Sequence, residues 1–280
     1  STEISSILVA ETTHNTNRMS INLNFPMKLL IGEHQILLHG IIEFLAIFIA
    51  FRYYLYLKKR HNDPVSPINR LVAAIGATLG ALIGSHLLGA AENIPELIAS
   101  PDKFQYIVHN KTLTGGLIGG LIGVELFKKF VNERHSTGDL FTFPLLLGII
   151  IGRIACFTTG IYEETYGVPT TLSWGMDLGD GLSRHPVTLY EIVFAVILWI
   201  VLKYLLNNYT MQSGAIFKIF MIAYFLFRFL LDFIKPGWRF YGISTIQVAS
   251  LCVLIYYGKY ILNPHLLFIS KKLKTTSHAN

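Results

Sequence analysis

Long apolar blocks separated by polar connections dominate the chain between residues 36 and 262. Most blocks hold about 20 residues with few charges, which is the length that an α-helix needs to cross a bilayer. The pattern therefore predicts an all-α polytopic membrane protein. The seven predicted membrane helices are 36–56, 70–92, 113–131, 140–158, 187–206, 214–234 and 244–262.

The connections between these helices alternate in charge, which predicts an orientation. Basic residues follow the first, third and seventh helices, whereas the other connections hold a larger share of acids. The positive-inside rule places the basic connections in the cytoplasm, so the N-terminus is predicted outside and the C-terminus inside. The predicted parts are a polar outer segment 1–30, a seven-helix domain 31–264 with outer-face loops 93–112 and 159–186, and a basic cytoplasmic tail 265–280.

Composition agrees with a membrane protein. Of the 280 residues, 52% are hydrophobic and 14% are charged, against about 25% charged in soluble domains. The net charge of +6 follows from topology, so no nucleic-acid partner is expected. Two cysteines make no disulfide framework, and the early stretch ISSILVA is too short for a signal-peptide core. We therefore expect the first membrane helix to act as its own insertion signal.

Arg153 and Arg228 lie inside apolar runs, where an arginine costs about 2.5–3.5 kcal/mol on insertion scales. Such a charge requires an anionic neighbour. Glu191 for Arg153, and Asp232 four positions after Arg228, would make structural ion pairs. A lipid phosphate would instead make the arginines a clamp, since guanidinium donates to two oxygens at once. Both interpretations are compatible, because a carboxylate can orient an arginine that also binds lipid.

The predicted orientation brings polar residues of six helices to one depth in the outer half of the bilayer. This pattern predicts one cavity reached from the outer leaflet. Glycines four positions apart, including Gly115, Gly119 and Gly123, favour close helix packing; Gly115 and Gly116 could also let a lipid headgroup approach the backbone. The long loop 159–186 carries Trp174 and is expected to form a small head at the interface, beside the N-terminal segment and loop 93–111.

Several strings resemble the prolipoprotein diacylglyceryl transferase family. GGLIGG at 115–120, GRIACF at 152–157, YGVPTTLSWG at 166–175, RHPVTLYE at 184–191 and FRFLLDFIKP at 227–236 occur in the family's order. The resemblance implies a seven-helix bacterial plasma-membrane enzyme with a small outer head. It implies transfer of the diacylglyceryl group of phosphatidylglycerol to the lipobox cysteine of a prolipoprotein signal peptide. Glycerol phosphate leaves, and neither a metal nor another cofactor is expected.

The chain departs from the family at positions that matter for chemistry. The histidine of the family's HGG string is Thr114, the asparagine of its GRIGN string is Cys156, and a tyrosine early in its first helix corresponds to His39. The acidic residue that follows the family's Asn-Gly has no clear match, although Glu163 and Glu164 lie just beyond. A divergent paralogue with a different acceptor is therefore an alternative.

The candidate site combines these observations. The predicted catalytic residues are Arg153, Arg228, His39 and Glu191. The predicted substrate-binding residues are Thr114, Gly115, Gly116, Cys156, Gly167, His185, Tyr190, Asp232 and His86. Histidines at helix ends are more often interfacial residues, and a buried free cysteine is more often packing.

Two other functional classes remain open. The first is a metal-dependent hydrolase or transferase that uses His39, His86 and His185 with Glu43 or Glu92, although no HExxH spacing is present. The second is a non-catalytic lipid-binding protein, which the replacements at Thr114 and Cys156 favour. A transporter is disfavoured because the chain shows no internal repeat.

Overall fold

A computed structural model describes residues 19–31, 34–60 and 65–271, so the ISSILVA stretch lies outside the described residues. The fold is mostly helical, as predicted. The helices are α1 (Leu38–Arg60), α2 (Pro67–Ala90), α3 (Ile94–Ala99), α4 (Lys103–His109), α5 (Leu113–Phe130), α6 (Asp139–Thr159), α7 (Val187–Asn208), α8 (Ala215–Leu231), α9 (Thr245–Tyr256) and α10 (Gly258–Leu262).

The last predicted helix, 244–262, is interrupted. A capping box between Ser244 and Gln247 starts α9, because each residue's side chain binds the other's backbone. The helix ends at Tyr256, the next residue Tyr257 has ψ of 6°, and α10 begins at Gly258. The sequence does not reveal this break, because Tyr257 and Gly258 do not interrupt the hydrophobic run.

Within the described residues, four helical segments are long and apolar enough to cross a membrane. They are Leu38–Arg60, Pro67–Ala99, Asp139–Tyr162 and Val187–Asn208. Of the remaining long apolar helices, α5 carries Glu125, Lys128 and Lys129 within its 18 residues, and α8 has 17 residues. The seven-span arrangement therefore stays a prediction.

Three small antiparallel sheets correct the all-α expectation. Strands β1 (Met19–Asn22), β2 (Lys28–Ile31) and β3 (His34–Leu37) form one sheet, β4 (Met176–Asp177) pairs with β5 (Ser183–Arg184), and β6 (Tyr209–Met211) pairs with β7 (Phe268–Lys271). The first sheet lies partly inside the predicted polar segment 1–30. In the β6–β7 sheet, the start of the predicted tail 265–280 pairs with the connection between α7 and α8. Strands of two to four residues leave no readable alternation in a sequence.

The core has two parts. Helices α6, α7 and α8 bury large side chains such as Leu146, Leu202 and Phe220, each with 0% exposure. Helices α2 and α5 pack through glycines: a Cβ at Gly84 would lie 2.5 Å from the carbonyl oxygen of Gly115, and a Cβ at Gly76 would lie 2.7 Å from that of Gly123. The predicted small-xxx-small packing is thus present, since no side chain fits between these two backbones.

The connections gather at two ends of the bundle. At one end, here called the site end, Met27 N donates to Thr158 O (2.8 Å), Thr112 N to Ser85 O (3.1 Å) and Val168 N to Ile234 O (2.9 Å). At the other, here called the opposite end, Gly214 N donates to Asp139 Oδ2 at 2.6 Å. The site end carries the loops 93–112 and 159–186, and Phe25 of the N-terminal segment packs against Phe157, with ring centroids 5.6 Å apart.

Candidate active site

Arg153 and Arg228 meet at one carboxylate. Arg153 Nε forms an ion pair with Glu191 Oε2, and Arg228 Nε lies 3.8 Å from Glu191 Oε1. Glu191 and Arg228 are each 3% exposed. The two arginines therefore share one buried compartment, and the predicted pairing of Arg153 with Glu191 is present.

Arg228 makes the longer ion-pair contacts of the two arginines. Its Nη2 lies 3.6 Å from Asp232 Oδ1, and its Nε lies 3.4 Å from Thr114 Oγ1. These separations exceed the 2.7–3.2 Å of a good N–H···O bond. Its Nη1 is buried with no hydrogen-bond partner among the described residues. A buried guanidinium with spare donors is costly, so this position suits an anionic guest.

Asp232 is held mainly by a neighbouring helix. Ser244 Oγ, which precedes α9, donates to Asp232 Oδ2. Arg239 Nη2 donates to the backbone oxygens of Asp232 and Lys235. A small polar cavity of about 40 Å³ lies beside these residues and is also lined by Glu92 and Glu164. Lys235 and Arg239 thus add cations, and Glu92 and Glu164 add acids, beside the Arg228–Asp232 pair at the site end.

Tyr224 is a site residue that sequence reasoning missed. It is 1% exposed, and its hydroxyl is buried. Glu191, Arg153 and Arg228 are its electrostatic neighbours. In the sequence it lies in an aromatic run that is typical of a helix core, and only a spacing of four from Arg228 hints that both face the same side.

A second group of polar residues lies beside Arg153. Arg153 Nη1 is 3.5 Å from Cys156 Sγ. His39 Nδ1 is 3.5 Å from Glu163 Oε1, and His39 Nε2 is 3.5 Å from Glu43 Oε2. The structure thus brings the predicted residues His39 and Cys156 together with Glu163, which follows α6.

Tyr190 joins the outer loop to the start of α7. Trp174 Nε1 donates to the Tyr190 hydroxyl at 2.9 Å, and His185 Nδ1 lies 3.2 Å from the same oxygen. Gly167 N donates to His185 O at 3.1 Å, and a Cβ at Gly167 would lie 2.6 Å from that oxygen. These predicted residues form a hydrogen-bonded unit that fixes the loop over the first turn of α7.

The turn of the same loop is stabilised by Asp177. Its Oδ1 accepts the backbone N–H groups of Gly179 (2.8 Å), Asp180 (3.1 Å) and Gly181 (3.0 Å). Because the hydrogen bonds from Gly179 and Gly181 favour the charged form, they hold the pKa of Asp177 below its usual value. Arg184 then donates to Asp180 at 2.6 Å.

The other predicted residues have packing partners. His86 Nδ1 lies 3.1 Å from Asn110 O and 3.2 Å from Ile107 O, so His86 binds loop 93–112. Gly115 packs on Gly84 and Leu88 of α2, whereas Gly116 has looser contacts. Of the partners that the metal alternative gave to His39, Glu43 lies beside it, with Oε2 3.5 Å from His39 Nε2. Among the described residues, the group with metal-ligand spacing is His39, Cys156 and Glu163, without His86 or His185.

An apolar groove of about 750 Å³ lies between α2, α5 and α9. Its walls include Gly84, Gly115, Leu126 and Val253, and Glu125 and Lys129 lie at its far end. Gly115 adjoins Thr114, which contacts Arg228. The groove therefore begins next to the arginine pair and runs along α5 for about 21 Å at 1.5 Å per residue.

Comparison with known proteins decides the family. Residues 26–262 match the family described as prolipoprotein diacylglyceryl transferase. The chain belongs to this family. Its members are transferases, and the resemblance seen in the motifs is confirmed over most of the chain.

Individual relatives agree with this assignment. A phosphatidylglycerol–prolipoprotein diacylglyceryl transferase of Wolbachia pipientis is 30% identical over 258 residues, covering 83% of this chain and 94% of the relative. Proteins of the same name from Campylobacter hominis and Solidesulfovibrio magneticus are 28% and 27% identical and cover 78% and 82% of this chain, with 82% and 91% of their own lengths matched.

Proposed function

We propose that this chain transfers the diacylglyceryl group of phosphatidylglycerol to a thiol, namely the lipobox cysteine of a prolipoprotein signal peptide. Glycerol phosphate is the leaving group. The observation that carries the proposal is the buried Arg228, whose Nη1 has no hydrogen-bond partner in the described part of the chain, beside an Arg153 held by Glu191. Family membership supplies the reaction class.

On the donor side, Arg228 and Arg153 bind the phosphodiester. The reaction breaks a bond between a glycerol carbon and a phosphate oxygen, so negative charge grows on the departing phosphate. A preorganised guanidinium stabilises that charge in a water-poor site. Glu191 orients both arginines, Asp232 orients Arg228, and Thr114 and Tyr224 fill the remaining space around it.

On the acceptor side, His39 and Cys156 lie next to Arg153, and Glu163 and Glu43 flank the imidazole. This arrangement can activate a thiol delivered beside the phosphate, because histidine accepts protons near neutral pH. His185, Tyr190 and Gly167 hold the outer loop that would receive the signal peptide. His86, Gly115 and Gly116 would bind the substrate on the donor side.

The apolar groove suits the acyl chains of the donor lipid. It begins at Gly115, near the arginines, and its walls are mostly aliphatic. A lipid that entered between α2, α5 and α9 would place its phosphate near Arg228 and its chains along α5.

We further propose the membrane arrangement predicted from the sequence. All of α1, α2, α5, α6, α7, α8 and the α9–α10 pair would cross the plasma membrane, and the site end would face outward with a head made from its loops. Basic connections at the opposite end support this orientation. The N-terminus would lie outside and the C-terminus in the cytoplasm.

The experiment is an assay with the purified chain in nanodiscs that contain phosphatidylglycerol labelled in its acyl chains. A synthetic lipobox peptide is added, and label transfer and glycerol phosphate release are measured together. The proposal requires both in equal amounts. A peptide with serine in place of the lipobox cysteine is the control, and absence of both products with the cysteine peptide would refute the proposal.

A lipid-binding protein without transferase activity is the second candidate. Thr114, which replaces the histidine of the family's HGG string, is 0% exposed and contacts Arg228. The side chain at this position is therefore packed in the core. Phosphatidylglycerol that copurifies and binds without turnover would favour this candidate. The double variant Thr114→His/Cys156→Asn would then be expected to gain activity; if the wild type is active, the candidate is rejected.

A further inference from the structure

The strand that leads into α1 has an open edge. β3 is an outer strand of the first sheet, and among the described residues it pairs only with β2. All four residues of β3 are exposed, whereas three of the four residues of β2 are half-buried. β3 contains neither lysine nor proline, the residues that commonly protect an edge from pairing with another strand. This edge is therefore accessible to a further strand.

The hydrogen-bond pattern shows which backbone groups face the open edge. Leu38 N donates to Met27 O at 3.1 Å, which continues the register between β2 and β3. Because the backbone groups of successive residues in an antiparallel strand point to opposite sides, those of Ile36 face β2 and those of Gln35 face away from it. The N–H group of Leu37 faces away as well. Among the described residues, these outward groups have no backbone partner in another strand.

The side chains leave this edge uncovered. Gln35 Oε1 accepts a hydrogen bond from Lys28 Nζ at 3.0 Å, so the Gln35 side chain lies over the sheet, toward β2. Ile36 and Leu37 are 43% and 49% exposed. An added strand would cover part of this apolar surface and would supply partners for the outward backbone groups. Both contributions favour the binding of an extended peptide.

β3 continues directly into the acceptor side of the proposed site. α1 begins at Leu38, and the next residue is His39, whose Nδ1 lies 3.5 Å from Glu163 Oε1. From Leu37 to His39 the chain rises about 5 Å, which corresponds to about two residues of an extended peptide. The other outer strand, β1, lies beyond β2, about 10 Å from β3. The β3 edge is therefore the one from which a bound peptide reaches His39.

The proposed membrane arrangement sets the direction of the bound peptide. β3 runs toward α1, which enters the membrane from the outer face, whereas the exported part of a prolipoprotein runs outward from its lipobox. The two strands therefore run antiparallel. With the lipobox cysteine level with His39, the second residue after the cysteine lies opposite Leu37 and the fourth lies opposite Gln35. The peptide residues at the edge are thus those that follow the cysteine.

We propose that the open edge of β3 binds the backbone of the residues that follow the lipobox cysteine, as an added antiparallel strand. Gln35 exchanges two hydrogen bonds with the fourth of these residues, and Leu37 N donates to the carbonyl oxygen of the second. This inference rests on the proposed function and states where its acceptor binds. Hydrogen bonds between main chains do not depend on the side chains, so one edge accepts prolipoproteins that differ in sequence after the cysteine.

The first experiment tests the alternation on the peptide and needs no variant of the protein. It measures kcat/KM for label transfer to a lipobox peptide extended beyond the cysteine, with one backbone N–H at a time replaced by N-methyl. Methylation of the fourth residue removes the hydrogen bond to Gln35 O and should lower kcat/KM about 3–10-fold. Methylation of the third or the fifth residue is the matched control and should change kcat/KM by less than about twofold. Equal losses at neighbouring positions would overturn the strand pairing.

The second experiment changes the edge in the full chain in nanodiscs. Gln35→Pro removes an outward N–H group and keeps the pairing with β2, because proline is tolerated at such positions of an outer strand. It should raise KM for the extended peptide about 3–10-fold with little change in kcat. A peptide that ends at the cysteine should not respond to Gln35→Pro. An equal response of both peptides would mean that the variant acts through the fold, and the edge site would be rejected.

The matched control variant is Ile21→Pro on the other edge of the sheet. Ile21 lies opposite Leu29, which in turn lies opposite Ile36 on β3. Since the backbone groups of Leu29 face β3, those of Ile21 face outward on β1. Ile21→Pro should therefore leave KM for the extended peptide unchanged. The same rise in KM for Ile21→Pro and Gln35→Pro would contradict the assignment of the peptide to β3.

A binding measurement separates this inference from the proposed function. The extended peptide with serine in place of the cysteine does not react, so its Kd in nanodiscs reports the contact independently of the chemistry. Methylation of its fourth residue should raise Kd about 3–10-fold, and methylation of the third should not. This alternation without label transfer to the cysteine peptide would refute the proposed function and keep the peptide site. Label transfer without alternation would refute the peptide site and keep the function. A dimer that Gln35→Pro dissociates, with no alternation, would assign the edge to a second copy of this chain.

Discussion

The two ends of the helical bundle use the same residue types differently. At the opposite end, Asp139 accepts backbone N–H groups from Gly214 (2.6 Å) and Phe217 (2.9 Å), which stabilises the start of α8. At the site end, Glu191 is shared by two arginines, and Arg228 keeps its Nη1 without a hydrogen-bond partner in the described residues. An acid whose oxygens accept backbone N–H groups, such as Asp139, holds a helix in place. An acid shared by two arginines, such as Glu191, leaves guanidinium donors available to a ligand.

The largest expected effect tests this contrast on the two acids. Glu191→Gln should lower the free energy of unfolding by about 3–5 kcal/mol, because it leaves two buried arginines without their shared counter-ion. Asp139→Asn should cost only about 1 kcal/mol, since an amide oxygen can still accept a backbone N–H. Denaturation of both variants in the same detergent measures the difference. Equal losses would contradict the comparison.

The second prediction concerns charge at both ends. Arg228→Lys should lower kcat/KM for label transfer by about 10²–10³-fold with little loss of folding, because an ammonium cannot reproduce the paired donors of guanidinium. Arg134→Lys, at an exposed position of the opposite end, is the matched control and should leave the rate unchanged. If Arg228→Lys lowers kcat/KM by less than threefold, Arg228 does not bind the lipid phosphate through paired donors.

The third prediction uses the glycine contacts between α2 and α5. Gly84→Ala and Gly76→Ala should each cost about 1–3 kcal/mol, since a methyl group enters a space occupied by backbone or by Phe127. Only Gly84→Ala should also reduce transfer, because Gly84 touches Gly115, the neighbour of Thr114. Gly40→Ala, where nothing lies within 4 Å, is the control for both measurements. Equal activity of Gly84→Ala and Gly76→Ala would mean that the glycine contacts between α2 and α5 do not influence the active site.

The smallest effect is expected from pH at the opposite end. Hydrogen bonds from Asn69 and His135 lower the pKa of Glu133 from 4.5 to about 2. A carboxyl with a depressed folded-state pKa adds stability that is present above pH 4.5 and is lost as pH falls toward about 2. Glu133→Gln should therefore flatten the decline of thermal stability over this window. An unchanged slope would mean that these hydrogen bonds add nothing to folding.

Much of the helical fold was predictable because long apolar runs have one physical solution in a bilayer. The pairing of Arg153 with Glu191 was also predictable, since a buried cation needs an anion. The short sheets were not, because two to four residues carry no period. The predicted site lists contained neither Tyr224 nor Glu163. Tyr224 lies in an aromatic run that reads as helix core, and Glu163 comes next to His39 only through the path of the loop that follows α6.

The seven spans, the outward orientation and the roles of the site residues remain proposals, and the arginine pair is the part on which the others depend. The most direct test is a structure determined in nanodiscs that contain phosphatidylglycerol. The account predicts a lipid phosphate with its oxygens about 2.7–3.2 Å from Arg228 Nη1, next to Arg153, and with acyl chains along α5. A headgroup bound elsewhere, with Arg228 closed onto Asp232 and Glu191, would contradict it.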